Sequence, residues 1–98
     1  GPRNASVVHM TKSASLELGK HEITVNAVYP GIVDTETFRG RVTNEEAIRQ
    51  AASMNALGRL ITPEEIAYAV TFLASPLAAS ITGDVISVTG GIGNTVYY

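Results

Sequence analysis

Ile23-Thr24-Val25-Asn26-Ala27-Val28-Tyr29-Pro30-Gly31-Ile32-Val33-Asp34-Thr35 is an apolar run that stops in Pro-Gly and then turns polar. The run is short, rich in Ile and Val, and closed by a residue with no N–H for a sheet ladder, so it reads as a strand. In open parallel sheets ligands bind beyond the carboxyl ends of strands, where loops converge while helices cover both faces. The turn at Pro30 and Gly31 is therefore the first place to look for a site.

Working outward, the segment before this strand repeats apolar residues at Val7, Met10, Ala14 and Leu18. Steps of three and four are the period of an amphipathic helix. Asn4 is its expected cap, and Gly19-Lys20-His21 its expected close, with Gly19 supplying the left-handed residue and two basic groups near the carbonyl end. Gly1-Pro2 leads straight into this helix with no signal peptide, and residues 1–3 are set aside from the fold as a cloning leftover.

On the other side, Glu36-Thr37-Phe38-Arg39-Gly40-Arg41-Val42 shows no clear period and reads as an irregular loop or a single helical turn. Thr43-Asn44-Glu45-Glu46 has the form of a capping box, Thr43 and Glu46 satisfying each other's amides ahead of a helix over about 44–54. That helix is mostly Ala on its apolar side, so it packs thinly and suits a segment that opens and closes. Thr62-Pro63-Glu64-Glu65 is a stronger start, with a Thr cap, Pro in the first helical position and Glu65 completing the box. The helix it opens carries Ile66, Ala69, Val70 and Leu73 on one stripe, with Phe72 alongside, and stops at Ser75-Pro76. After a loop, Asp84-Val85-Ile86-Ser87-Val88 reads as a final strand, ended by Gly90-Gly91 and a tail through Tyr98.

Strand, long helical connection, strand is the pattern of a parallel crossover, which a hairpin-length connection could not make. Two strands alone leave sheet edges and apolar surface uncovered, so such a unit should seek a partner. The 98 residues, 45% of them hydrophobic, fit one globular α/β unit. A formal net charge of −2 without a Lys/Arg cluster offers no nucleic-acid footprint. With no cysteine there are no disulfides or thiolate metal sites, and a chain that needs no disulfides suits the cytoplasm. No apolar stretch approaches the roughly 20 residues of a membrane span, so no membrane partner is expected.

Several blocks, in order and with the right spacing, resemble the carboxyl-terminal part of the short-chain dehydrogenase/reductase family. Ala5-Ser6-Val7-Val8-His9-Met10-Thr11-Lys12-Ser13 is similar to the body of that family's active-site helix, and Ile23 to Val28 with Pro30-Gly31 to its sixth strand. Gly58-Arg59-Leu60, Thr62-Pro63-Glu64-Glu65-Ile66-Ala67, Phe72-Leu73-Ala74-Ser75, Ile81-Thr82-Gly83-Asp84 and Val88-Thr89-Gly90-Gly91 resemble its last helix and seventh strand. The resemblance implies the C-terminal part of a Rossmann-like doubly wound parallel sheet, running helix, strand, lid helix, helix, strand as a single partial domain. It divides the chain into an active-site-type helix at 4–20, a strand and Pro-Gly cofactor turn at 22–35, a substrate lid at 36–60, and the last helix and strand at 62–91.

The resemblance also implies an NAD or NADP cofactor in the parent family, with Pro30 and Gly31 against the nicotinamide, Val33 reaching its carboxamide and Thr35 the nearby phosphate. Gly permits close backbone approach, and a Thr hydroxyl can donate or accept. The bland alternative is that Pro30-Gly31 only ends a strand. The substrate implied is a small alcohol or ketone.

Where the chain departs from the family matters as much. The resemblance implies a catalytic Tyr and Lys four residues apart at the start of the first helix, the Lys lowering the Tyr pKa for proton exchange with substrate. Asn4 stands where that Lys should be, Lys12 lies two helical turns further on, and no Tyr in the chain is followed four residues later by Lys. The family's catalytic Ser and its glycine-rich phosphate loop are also missing. Val88-Thr89-Gly90-Gly91-Ile92-Gly93-Asn94 only superficially resembles that loop, since it opens no helix.

Among other candidates, His9 and His21 have no ligand-spaced companions, and Glu45-Glu46 and Glu64-Glu65 sit in first helical turns where caps and dipole favour acids. Asp34 is the one acid beside the expected site. Tyr29 and Tyr68 lack the neighbouring Lys of an activated phenol. The expectation is thus a C-terminal fragment of an NAD(P)-dependent alcohol/ketone oxidoreductase, without catalytic residues of its own, inactive alone and binding no cofactor alone. The alternative is a non-enzymatic module that pairs with itself, as a homo-oligomer, or with the missing N-terminal half. A third arrangement, with the missing residues elsewhere in a longer gene, stays open.

Overall fold

The computed structural model describes residues 2–92, and side chains from residue 5 onward. The first helix, α1 (Pro2–Leu18), starts ahead of Asn4, so Asn4 lies inside the helix and is not its cap, and Pro2 and Arg3 belong to it. A Pro fits a first turn, where its missing N–H would have no helical partner. The face α1 buries is not the expected apolar stripe: Met10 is 68% exposed, whereas Thr11 and Ser15 are buried. Both hydroxyls are satisfied by donating back to their own helix, Thr11 to the Val7 carbonyl (2.7 Å) and Ser15 to that of Lys12 (2.7 Å). Small side chains there let the helix approach Gly83 so closely that a Cβ on Gly83 would sit 2.8 Å from Ser15 Oγ. The helix passes into a 3₁₀ turn (Gly19–His21), which delays the reversal, and the left-handed residue is Glu22 (φ 58°) in place of the expected Gly19.

Strand β1 (Ala27–Pro30) pairs in parallel with β2 (Val85–Val88), with Ala27 opposite Val85 and Pro30 opposite Val88. The expected parallel crossover is present, and among the described residues the sheet has these two strands. Asn26 sets the start of the ladder. Its amide donates to the Ile81 carbonyl (3.0 Å) and its oxygen accepts from the Asp84 N–H (3.1 Å). Pro30 ends the strand from inside it. Ala27 and Gly31 donate toward β2, at 2.9 Å each, so the alternation of peptide groups turns the Pro30 nitrogen to the open edge, where no N–H is required.

The connection holds three helices. The stretch expected to be an irregular loop or a single helical turn is the short helix α2 (Glu36–Arg41), which Thr35 caps by accepting from the Phe38 N–H at 3.0 Å. Helix α3 (Glu45–Ala52) is shorter than expected and capped by Asn44, not Thr43. The Asn44 oxygen accepts from Glu46 (2.8 Å) and Ala47 (3.3 Å), and with Ala47 in the third helical position no reciprocal box closes. Helix α4 (Pro63–Leu73) begins with the full Thr62–Glu65 box that the sequence predicts. Ile66, Ala69 and Leu73 turn inward as expected, while Val70 stays half exposed. The core is thin: Leu60, Ile61 and Ala78 are its buried apolar residues among those described. The tail from Thr95 to Tyr98, expected to be strand-like, lies outside the described residues.

Candidate functional site

The parallel pairing brings the carboxyl ends of β1 and β2 side by side, and their two exit turns touch. A Cβ on Gly31 would lie 2.9 Å from the Thr89 Cα and 3.1 Å from its carbonyl oxygen. Gly31 is thus required by the protein's own backbone as well as by any ligand that approaches it. Beyond these turns opens a cleft of about 280 Å³, floored by Tyr29, Pro30, Gly31 and Ile32 and walled by Ala51, Met54, Asn55, Thr89 and Ile92.

Of the residues expected at the site, Pro30 and Gly31 line this cleft, and Val33 and Thr35 continue along the turn away from it. Val33 forms a parallel bridge with Ile61, the most buried residue of the region at 2% exposure. The bridge is built from the neighbours of Val33. Ile61 donates to the Ile32 carbonyl (3.0 Å) and accepts from the Asp34 N–H (2.7 Å), which turns the N–H and C=O of Val33 itself to the opposite side. Thr35 spends an oxygen lone pair on the Phe38 N–H and keeps its hydroxyl proton for a further acceptor. Asp34 is engaged by Arg39 through two hydrogen bonds, 2.7 and 3.0 Å, and this holds its carboxyl below the usual carboxylate range.

The lid returns to the sheet at Asn55. Ala56 donates to the Gly91 carbonyl (2.7 Å) and Leu57 to that of Gly90 (3.1 Å), and both glycines have positive φ. These are the glycines that superficially resemble a nucleotide loop; they receive the lid. Arg59 then pairs with Glu65 through both carboxylate oxygens at 2.8 Å, while Glu65 also accepts from the Thr62 N–H at 2.8 Å. Chiefly through the Arg59 guanidinium, the Glu65 carboxyl is lowered to about 2. Glu46 pairs with Arg49 at 2.6 Å, so the paired glutamates serve caps and ion pairs. Tyr68 is 71% exposed on α4. Among the described residues no group of three or more His, Cys, Asp or Glu could hold a metal ion, and no helix is long and apolar enough to cross a membrane.

Sequence reasoning missed Ile61, Thr89 and Asn55. Ile61 falls between the Gly58-Arg59-Leu60 block and the Thr62 cap, and nothing local marks it as a bridge. Thr89 was visible in the strand-ending Thr-Gly-Gly, where a glycine at another turn was the sign of a close neighbour.

A parallel α/β unit with a cleft at its strand ends belongs to the class of open-sheet folds that bind ligands at that position. The family profile described as "Enoyl-(Acyl carrier protein) reductase" matches residues 1–93. The chain belongs to the short-chain dehydrogenase/reductase family. It is 40% identical over 88 residues to 3-oxoacyl-(acyl-carrier-protein) reductase FabG of Aggregatibacter actinomycetemcomitans, covering 90% of this chain and 35% of that protein. To L-rhamnose 1-dehydrogenase (NAD(P)(+)) of Sphingomonas sp. strain SKA58 it is 37% identical over 91 residues, covering 93% and 36% respectively. The crystal structure of YwfH, an NADPH-dependent reductase involved in bacilysin biosynthesis, superposes with a TM-score of 0.83 at 36% identity, over 94% of this chain and 38% of that one. The partial sheet described above is therefore part of a Rossmann-like fold, and the chain spans about a third of the length of the curated relatives it matches.

Proposed function

We propose that this chain forms the nicotinamide-side wall and substrate lid of an NAD(P)-dependent reductase acting on a small alcohol or ketone. Residues 4–20 correspond to the active-site-type helix, 22–35 to the cofactor turn, 36–60 to the lid and 62–91 to the last helix and strand. Pro30 and Gly31 would lie against the nicotinamide ring, Val33 would meet its carboxamide and Thr35 a phosphate. The observation that carries this assignment is the outward turn of the Val33 N–H and C=O, a donor and an acceptor on one residue, as a primary carboxamide requires. The remaining hydroxyl proton of Thr35 supplies a donor for an anion two residues on.

When bound, the cofactor gives or takes the hydride. This chain's residues orient it and exclude water. Ile32, Ala51, Met54 and Ile92 make the cleft wall largely apolar, while Thr89 accepts from the Gly91 N–H at 3.2 Å. Such a wall suits the alkyl side of a ketone better than the hydroxyls of a sugar.

No Tyr with a Lys four residues on is present, so the proton donor must come from an amino-terminal portion such as the longer relatives possess. The chain alone is expected to show no turnover. The test is NADPH oxidation with a 3-oxoacyl thioester or a simple ketone, measured for the chain alone and after mixing with the amino-terminal part of a related reductase. Activity only in the mixture supports the assignment. Turnover by the chain alone overturns its inactivity, and a mixture that stays silent while NADPH leaves the Val33 and Gly31 amide resonances unmoved overturns the cofactor wall.

The second reading, a non-enzymatic association module, is favoured by one observation: large apolar side chains on α1 and α4 lie open, including Leu16 at 83% and Tyr68 at 71% exposure. A stable homo-oligomer indifferent to an amino-terminal partner would support it. For either reading we propose a cytoplasmic location.

A further inference from the structure

We propose that Asn55 is the positioning residue that clasps the lid to the turn after β2 and so holds the lid wall of the cleft in place. This rests on the cleft assignment above but concerns a residue that assignment does not use. Asn55 closes a turn of the lid with both ends of its side chain: its amide nitrogen donates to the Arg59 carbonyl at 2.7 Å and its amide oxygen accepts from the Gly58 N–H at 2.9 Å. The same carboxamide lies on Gly90, where an added Cβ would fall 2.8 Å from Asn55 Cγ. One flat group therefore folds residues 55–59 into a closed loop and presses that loop onto the glycines.

The closed loop sets up the backbone bonds beside it. The adjacent N–H groups of Ala56 and Leu57 point at Gly91 and Gly90, and an added Cβ on Gly91 would meet the Ala56 Cβ at 3.1 Å. Gly90 and Gly91, both with positive φ, give this landing its shape; a side chain at Gly90 would push the Asn55 carboxamide aside, and one at Gly91 would crowd Ala56. Gly58, also at positive φ but with nothing near its absent Cβ, is the point about which the loop can unfold once the carboxamide lets go. Met54 and Asn55 are the lid residues nearest the landing that also line the cleft, so releasing the loop withdraws that wall.

The clasp is tested on the whole chain by residue-resolved amide hydrogen exchange, which needs neither cofactor nor turnover. In Asn55→Ala the Ala56 and Leu57 amides are expected to exchange about tenfold faster or more, from the loss of two hydrogen bonds. The ladder amides of Ala27 and Gly31 are expected to keep their rates. Asn55→Asp retains the acceptor for Gly58 and loses the donor to Arg59, so it should fall between the two, a graded rescue that also reads the clasp if the Ala variant does not fold. Unchanged exchange at Ala56 and Leu57, or an equal rise across the ladder in both variants, overturns the clasp. Loss of NADPH or ketone binding by the unsubstituted chain would instead count against the cofactor wall and leave the exchange result standing.

Discussion

Gly31 and Thr89 share one close contact where the two strands end, with space for a hydrogen and none for a methyl group: an added Cβ meets the Thr89 Cα at 2.9 Å. Because that neighbour is backbone, it cannot swing aside as a flexible side chain would. Gly31→Ala should therefore force the two exit turns apart and destabilise the chain by about 1–3 kcal/mol. A lowered urea midpoint, with the largest amide shifts at residues 31 and 89, is the expected result.

Ile61 gives the opposite kind of test. It is the largest of the buried side chains described, and its backbone holds the turn on both sides of Val33. Ile61→Ala removes most of a side chain from a core with few others and should cost about 2–5 kcal/mol. Ile61→Val, which keeps the bridge and loses one methylene, should cost about 0.5–1.5 kcal/mol. Denaturant unfolding of the two variants, side by side, checks the ratio.

How far the sequence revealed these features depends on how local their causes are. The Thr62–Glu65 box was readable because every group in it lies within four residues, and Pro63 marks the first turn. The parallel pairing was readable from the length of the connection. The Thr35 cap was missed because Glu36 to Arg41 has no apolar period, although a Thr followed by an acid was present. The buried face of α1 was misread for a different reason: Ser15 packs where it does because Gly83 lies opposite, and that partner is distant in sequence. Asn55 and Ile61 were invisible on the same ground, since what they do is decided by Gly90 and Val33.

The start of α4 should respond to pH in a defined direction. Glu65 has its carboxyl lowered to about 2 from an ordinary value of 4.5 by the Arg59 hydrogen bonds first and the Thr62 N–H next. A lowered folded-state value means the stabilisation is fully present above pH 4.5 and fades as pH falls toward 2. Helicity followed by circular dichroism across that window should drop, and Glu65→Gln should flatten the part of the drop that this pair causes. Thr62→Ala removes the cap oxygen at all pH values and should cost about 0.5–2 kcal/mol.

At Thr35 the structural and the proposed binding roles can be separated. Its oxygen caps α2 and its proton remains for an acceptor, so Thr35→Ser should keep both and Thr35→Val should lose both while preserving shape. Asparagine can cap but offers an amide in a different position, so Thr35→Asn should retain α2 and weaken any phosphate contact. Amide shifts of Phe38 report the cap, and NADPH titration reports the contact. Parallel loss of both in the Asn variant would mean that Thr35 serves α2 alone.

The final expectation concerns what covers the open surface. The radius of gyration is 15.5 Å, against about 13 Å for a compact chain of this length, and the longest extent is 50 Å. Met10, Leu16, Tyr68 and Leu77 are each more than two-thirds exposed, and the β1 edge that carries the Pro30 nitrogen has no strand beside it among the described residues. Apolar area of this kind is favourably removed from water at about 25 cal/mol per Å², so association is expected. Light scattering should give a mass above that of one 10.3 kDa chain. Adding the amino-terminal part of a related reductase should then decide between the two readings. If the open β1 edge accepts strands from that part, the self-associated species dissolves into a complex of the two, and Leu16→Ser on α1 barely affects it. If the helix faces are what pair, Leu16→Ser and Tyr68→Ser lower the mass toward that of a single chain and the added partner changes nothing.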